Sequence, residues 1–200
     1  MVTIQTGRAK PLGAQDRRDS ILDAAMPLVM KHGADVTTRQ IADAAGIAEG
    51  TVFRVFDDKQ AIIDAVVLRF MDPKPTIAAL SAIDTEAPLE HKLLRMVEIL
   101  RARFQGVTGI LTALGIRELP VEMRDAKDLA EIRRGAALAI LEPHRDELRV
   151  EPETAVHVLR LICFASALPP FGGTRETSSQ EIVDVVLHGI AVQSSETKEF

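Results

Sequence analysis

The sequence predicts an all-α chain in two parts. A small N-terminal domain of three helices forms a helix-turn-helix, and a larger helical domain follows, with about nine helices in total. Three observations predict it. Apolar residues recur at helical spacing along most of the 200 residues, with no long period-2 alternation. Ala and Leu are abundant, whereas Tyr, Trp and Asn are absent. The breaks are short and marked by Gly or Pro, as connections within helical proteins are.

Residues 1–15 read as a flexible arm, with Gly7, Pro11 and Gly13 spaced through it. The first helix is expected from about Arg17 to His32, ending at Gly33, with Ile21, Leu22, Ala25, Leu28 and Val29 on one stripe. Lys31 and His32 in its last turn suit the helix dipole, and Pro27 should kink it.

Residues 37–60, TTRQIADAAGIAEGTVFRVFDDKQ, place two very short helices around one glycine. Thr37 and Gln40 have capping-box spacing. Ile41, Ala44 and Ala45 are expected to face inward, and Gly46 reverses the chain in a left-handed conformation. Ile47 should turn back to the core. The second helix starts near Ala48 or Glu49, with Val52, Val55 and Phe56 inside and Glu49, Gly50, Thr51, Phe53 and Arg54 outside. Asp57 is placed to cap the next helix, with Gln60 at its box position. This helix-turn-helix spans residues 16–60, with a fourth helix from Lys59 to Met71 ended by Pro73 and Pro75.

Residues 61–200 read as the second domain. Residues 76–87 are expected to be irregular or briefly helical. Helices follow over Leu89–Gln105, Val107–Leu119 (closed by Pro120), Asp125–Leu141 with an extension past Pro143 to Leu148, Glu153–Leu168 and Gln180–Val192. A loop, FGGTRETSS, precedes the last.

Composition narrows the function classes. The balance of 46% hydrophobic and 26% charged residues is that of an ordered chain, and no apolar run is long enough to cross a bilayer. The N-terminus lacks the apolar core of a secretory signal, and a single cysteine, Cys163, fits a reducing compartment, so a cytoplasmic location is expected. In its apolar run, Cys163 reads as a small buried residue rather than a nucleophile. The net charge of −5 belongs entirely to residues 61–200; residues 1–60 hold eight basic and eight acidic residues. Such an N-terminal domain is compatible with a nucleic-acid partner. The five histidines, 32, 91, 144, 157 and 188, show no metal-ligand spacing. HRDEL at 144–148 lacks the rest of a kinase signature. Nothing indicates an enzyme, a catalytic residue, a metal or a cofactor.

The segment from Arg17 to about Phe70 resembles the N-terminal domain of TetR-family transcriptional regulators. The matching residues are ILDAA (21–25), Gly33, TTRQIADAAGI (37–47), Gly50-Thr51, F-R-x-F (53–56) and Lys59 with Ala61-Ile62. The resemblance implies a homodimer on a palindromic double-stranded DNA operator, and a C-terminal domain that dimerises and binds a small-molecule effector. It implies DNA contacts from Thr37, Thr38, Arg39, Glu49, Gly50, Thr51, Phe53 and Arg54, and a phosphate contact from Lys59. Two departures stand out. Phe53 occupies a position usually held by Tyr, which removes a hydroxyl. Ala48 stands where Ser or Thr often caps the helix, a loss of about 1 kcal/mol.

The expected activity is that of a repressor released by an apolar or amphipathic ligand. The alternative is a helical small-molecule-binding protein whose N-terminal domain does not read DNA. Leu100, Phe104, Met123 and Phe164 are candidate pocket residues because they are large and apolar. Val158, Ile162, Ala165, Ile182, Val186, Gly189 and Ile190 lie on broad apolar faces that are candidates for the dimer interface.

Overall fold

Helix α1 (Ala14–His32) starts three residues earlier than the periodicity suggests, because Asp16 accepts a hydrogen bond from the Gly13 amide and closes its first turn. The computed structural model describes residues 13–116, 127–168 and 176–190, with side chains described except at 127–133, 189 and 190. Most of the expected arm, residues 1–12, and Met123 therefore lie outside the described residues, as do the side chains at Gly189 and Ile190. The backbone divides into two units. Unit 1 holds residues 1–70 and 112–116, and unit 2 holds residues 71–111 and 117–200.

In unit 1, α1 is followed by a 3-10 turn (Gly33–Asp35), α2 (Thr38–Ala45), α3 (Glu49–Val52) and α4 (Lys59–Met71). The α1 stripe is buried as expected at Ile21, Leu22, Ala25 and Val29, and Ile41, Val52, Phe56, Ile62 and Val66 are buried as well. Helix α1 runs through Pro27 without interruption. Its end is set by Gly33, which has φ +57°; a Cβ there would lie 2.1 Å from the carbonyl oxygen of Ala113. Both the backbone conformation and the close approach require glycine. Arg69 of α4 ties back to α1 through an ion pair with Asp23 at 2.7 Å and one with Asp19 at 3.7 Å.

Unit 2 contains α5 (Lys74–Ser81), α6 (Leu89–Ala113, whose last two residues count with unit 1), α7 (Lys127–Leu141), a 3-10 stretch (Glu142–Glu147), α8 (Pro152–Ala167) and α9 (Ser179–Ile190). Residues 76–87, expected to be irregular or briefly helical, share in the short helix α5, which starts at Lys74 with Pro73 and Pro75 at its first positions, where a missing amide donor costs nothing. Three other sequence expectations are corrected here. The separate helices expected over 89–105 and 107–119 are one helix to Ala113. Gly106 alone is too weak a break, about 1 kcal/mol against alanine, and burial along the helix outweighs it. Pro143 lies in the 3-10 stretch, so α7 stops at Leu141 instead of extending. Ile182 and Val186, offered as interface residues, are 2% exposed and belong to the unit's own core with Leu93, Met96, Leu100, Leu141, Leu159 and Cys163.

That core also holds a cation. Lys92 is 3% exposed, and its ammonium donates to the Thr85 carbonyl at 2.5 Å and to His144 Nε2 at 2.8 Å. Lysine only donates, so Nε2 is the acceptor and His144 Nδ1 carries the proton it shares with Glu147. The HRDEL segment thus has a structural use. Burial pushes the Cys163 thiol up to about 11, against a smaller lowering by Arg101, so it stays protonated and behaves as the small core residue expected.

Gly33→Ala is expected to cost at least ~2 kcal/mol of unit 1 stability, since it combines a strained φ with overlap on a backbone carbonyl. Urea unfolding followed by circular dichroism reads this directly. Gly50→Ala, whose added Cβ meets nothing within 4 Å, serves as the control and should match wild type or exceed it.

Candidate nucleic-acid interface

The site is built around the N-termini of α2 and α3. Thr37 precedes α2 in extended conformation, and its hydroxyl accepts from the Gln40 amide at 3.2 Å. The Gln40 carboxamide accepts from the Thr37 amide at 2.9 Å, which completes the expected capping box. At the other end, Gly46 has φ 66° and ψ 32°, the left-handed conformation. Its amide donates to Asp43 O at 3.2 Å, and the Ile47 amide donates to Ala42 O at 3.0 Å. This pair of bonds is a Schellman motif, and it aims the chain into α3. Inward packing differs by one position from expectation: Ile41 and Ala42 are buried, Ala44 is exposed, and Ile47 is half-buried.

Helix α3 is a single turn, Glu49–Val52, with Ala48 before it providing no side-chain cap. The chain continues through tighter turns, with Arg54 N to Thr51 O at 3.3 Å and Val55 N to Val52 O at 3.0 Å. Two contacts that no local pattern shows hold this short piece in place. The Thr38 hydroxyl donates to Glu49 Oε1 at 2.5 Å, joining the first turns of α2 and α3. Below it, the Arg18 guanidinium lies 4.3 Å from the Phe56 ring centroid, a cation–π contact that fastens the end of the motif to α1.

The cap of α4 also moves. Asp58, not Asp57, accepts from the Ala61 amide at 2.8 Å, while Gln60 pairs with Asp64 at 2.8 Å. Lys59 is half-buried, and its ammonium donates to the Ala34 carbonyl at 2.7 Å. One of its three donors is therefore committed to joining α4 to the turn after α1, beside the start of α2. The resemblance gave no hint of this tie.

The predicted set falls into two groups. Thr37, Arg39, Glu49, Gly50, Phe53 and Arg54 are exposed, with Phe53 at 50%, while Thr38, Thr51 and Lys59 are half-buried. Arg39 and Arg54 make no ion pair among the described residues, so both guanidinium groups are available to an external anion. An added Cβ at Gly50 would meet nothing of the protein within 4 Å, so the fold itself does not require glycine there. The surface thus offers two free cations, backbone amides at helix starts, a bare backbone at Gly50 and one apolar ring. Among the described residues no group of three His, Cys, Asp or Glu side chains is gathered as for a metal, and no helix is long and apolar enough to cross a membrane.

A family model described as bacterial regulatory proteins, tetR family, matches residues 21–66, the stretch from mid-α1 into α4 that carries this geometry. Over these residues the chain is similar to the tetR family. It is 34% identical over 99 residues to the HTH-type transcriptional repressor KstR2 of Rhodococcus jostii, covering 48% of each protein. It is 36% identical over 72 residues to the uncharacterized HTH-type transcriptional regulator YvkB of Bacillus subtilis, covering 36% of this chain and 38% of that one. The chain thus spans about half or less of the curated relatives it matches. Among solved structures, a tetR-family transcriptional regulator from Streptomyces coelicolor superposes with a TM-score of 0.60 at 23% identity, over 89% of this chain and 80% of that one. The ketosteroid transcriptional regulator KstR2 of Mycobacterium tuberculosis gives 0.56 at 19% identity, over 88% and 96%. These likenesses are of fold alone, and they cover most of the chain.

Thr37→Ala is expected to destabilise unit 1 by about 1 kcal/mol through loss of the cap, while Thr37→Ser should be nearly neutral. Chemical denaturation of both variants checks the cap.

Proposed function

We propose that the chain is a dimeric, ligand-responsive transcriptional regulator that binds a palindromic DNA operator through the α2–turn–α3 face and acts as a repressor. The observation that carries this reading is the exposed, unpaired state of Arg39 and Arg54 together with the bare backbone at Gly50. A major groove admits a short helix presented in this way, with base edges met by α3 and phosphates by flanking donors. Thr37, Thr38 and Arg39 at the start of α2, and the two remaining donors of Lys59, are the proposed phosphate contacts. Glu49, Gly50, Thr51, Phe53 and Arg54 are the proposed groove-facing set, with Phe53 limited to apolar contact. The R. jostii relative's description as a repressor supports the sign of regulation.

The dimer surface proposed from sequence needs a different register. Since Ile182 and Val186 face the core, the large apolar side chains left outside on α8 and α9 among the described residues are Leu161 at 54%, Phe164 at 44% and Val185 at 67% exposed, and Ala165 is also exposed. Val158 and Ile162 are half-buried on the inner flank. A second copy covering this patch would bury it. The effector is proposed to bind within unit 2. Of its candidate residues, Leu100 is 1% exposed and is core, whereas Phe104 and Phe164 meet edge to face at 5.4 Å.

Arg39→Ala and Arg54→Ala are each expected to weaken operator binding several-fold and to reduce the slope of log affinity against log salt by about one. Gly50→Ala should keep full stability and still bind DNA more weakly. Fluorescence anisotropy across a salt series measures both effects. Wild-type affinity and slope in all three variants would assign the face to some other partner and leave the chain as a helical ligand-binding protein.

A further inference from the structure

Two contacts fix how α6 and α8 lie along each other. The Phe104 and Phe164 rings meet at 5.4 Å, and one turn further on each helix the Thr108 hydroxyl donates to the Ala167 carbonyl at 3.1 Å. The helices therefore run in the same sense along this seam. One turn back from the rings, Arg101 stands on α6 and Arg160 on α8, so the same register places the two residues at one level of the seam. The charge of Arg101 is also felt at Cys163, three residues from Arg160 on α8. Each arginine has its Nε buried with no hydrogen-bond partner. Arg101 Nη1 donates to Ser179 Oγ at 3.1 Å, a neutral acceptor. Neither side chain has a carboxylate partner among the described residues. The acids at the start of α9 are engaged otherwise: Glu181 accepts from the Ser178 amide at 2.7 Å, and Asp184 accepts from Gln180 at 3.0 Å.

Two like charges at one level of a seam, each with a buried donor unused, form an arrangement that an anion stabilises and nothing else among the described residues of the unit explains. A guanidinium presents its donors as a fork that matches a carboxylate or a phosphate two bonds at a time. One turn away lie the Phe104 and Phe164 rings, an apolar surface for whatever carries the charge. We propose that Arg101 and Arg160 form a binding site for the anionic head, carboxylate or phosphate, of a small molecule with an apolar body. This deepens the effector reading above and rests on it for a ligand within unit 2, but it does not depend on whether the chain binds DNA.

The test is calorimetric titration of the full chain with octanoate, octyl phosphate and octanol, which share a chain and differ in head group. Wild type should bind at least one anion roughly tenfold or more tighter than octanol, and the stronger of the two identifies the head. Arg101→Gln and Arg160→Gln should each lose that preference, while Arg160→Lys retains part of it. Inorganic phosphate should raise the melting temperature of wild type, relative to chloride at equal ionic strength, and leave that of Arg160→Gln unmoved. Without ligand, Arg160→Gln should melt no lower than wild type, since it removes a like-charge neighbour. Three results would each overturn the proposal. One is equal affinity for octanol and both anions in wild type. Another is a melting temperature for Arg160→Gln well below wild type, which makes the arginine a structural strut. The last is a shift of Arg160→Gln from dimer to monomer with its anion response intact, which gives the arginines to the contact between copies.

Discussion

A helix of one turn cannot hold itself together. Helix α3, Glu49–Val52, closes too few hydrogen bonds to offset the ordering of its own backbone, and Ala48 gives it no cap. Its position is therefore imposed from outside, and unit 1 is arranged to impose it. The Gly46 turn sets its direction, the Thr38–Glu49 bond sets its distance from α2, and Val52 and Phe56 anchor its inner side in the core. Arg18 on Phe56 and Lys59 on the Ala34 carbonyl then tie both ends of the motif to α1 and the turn that follows it. What this gains is an outer face on which Gly50, Arg39 and Arg54 are free of structural duty. Gly50 and the two free arginines are the direct expression of that freedom.

The same distinction between groups the fold consumes and groups it leaves available runs through unit 2. Lys92 is deeply buried but partnered, with Thr85, His144 and Glu147 forming a chain of donors and acceptors. Arg101 and Arg160 are less buried and not fully used. A buried polar group with its partners in place stabilises a core, while one without them marks a place where an external partner belongs. Cys163 falls in the first class through burial alone.

Much of unit 1 was legible in the sequence because its signals are local. The Thr37–Gln40 box, the Gly46 reversal, the α1 stripe and the ends of α4 follow from spacing within one or two turns. The contacts between Thr38 and Glu49, Lys59 and Ala34, and Arg18 and Phe56 were not legible, because they join residues whose proximity only the fold creates. In unit 2, the errors share a cause. Helices α8 and α9 carry apolar residues on more than one side, so spacing could not say that Ile182 and Val186 face inward and Leu161 and Val185 outward. Gly106 looked like a break because glycine disfavours an isolated helix, and packing along α6 overrode it. The facing of Arg101 and Arg160 depends on the α6–α8 register, which only the structure fixes.

The account rests on the α2–turn–α3 face entering a DNA groove, and the most direct test is selection of bound sequences from random DNA followed by footprinting of the winner at two salt concentrations. The account predicts an enriched inverted repeat. It further predicts two protected half-sites centred about one helical turn apart, ~34–36 Å, with protection that weakens as salt rises. Enrichment of no sequence, or protection without a repeat and indifferent to salt, would contradict it.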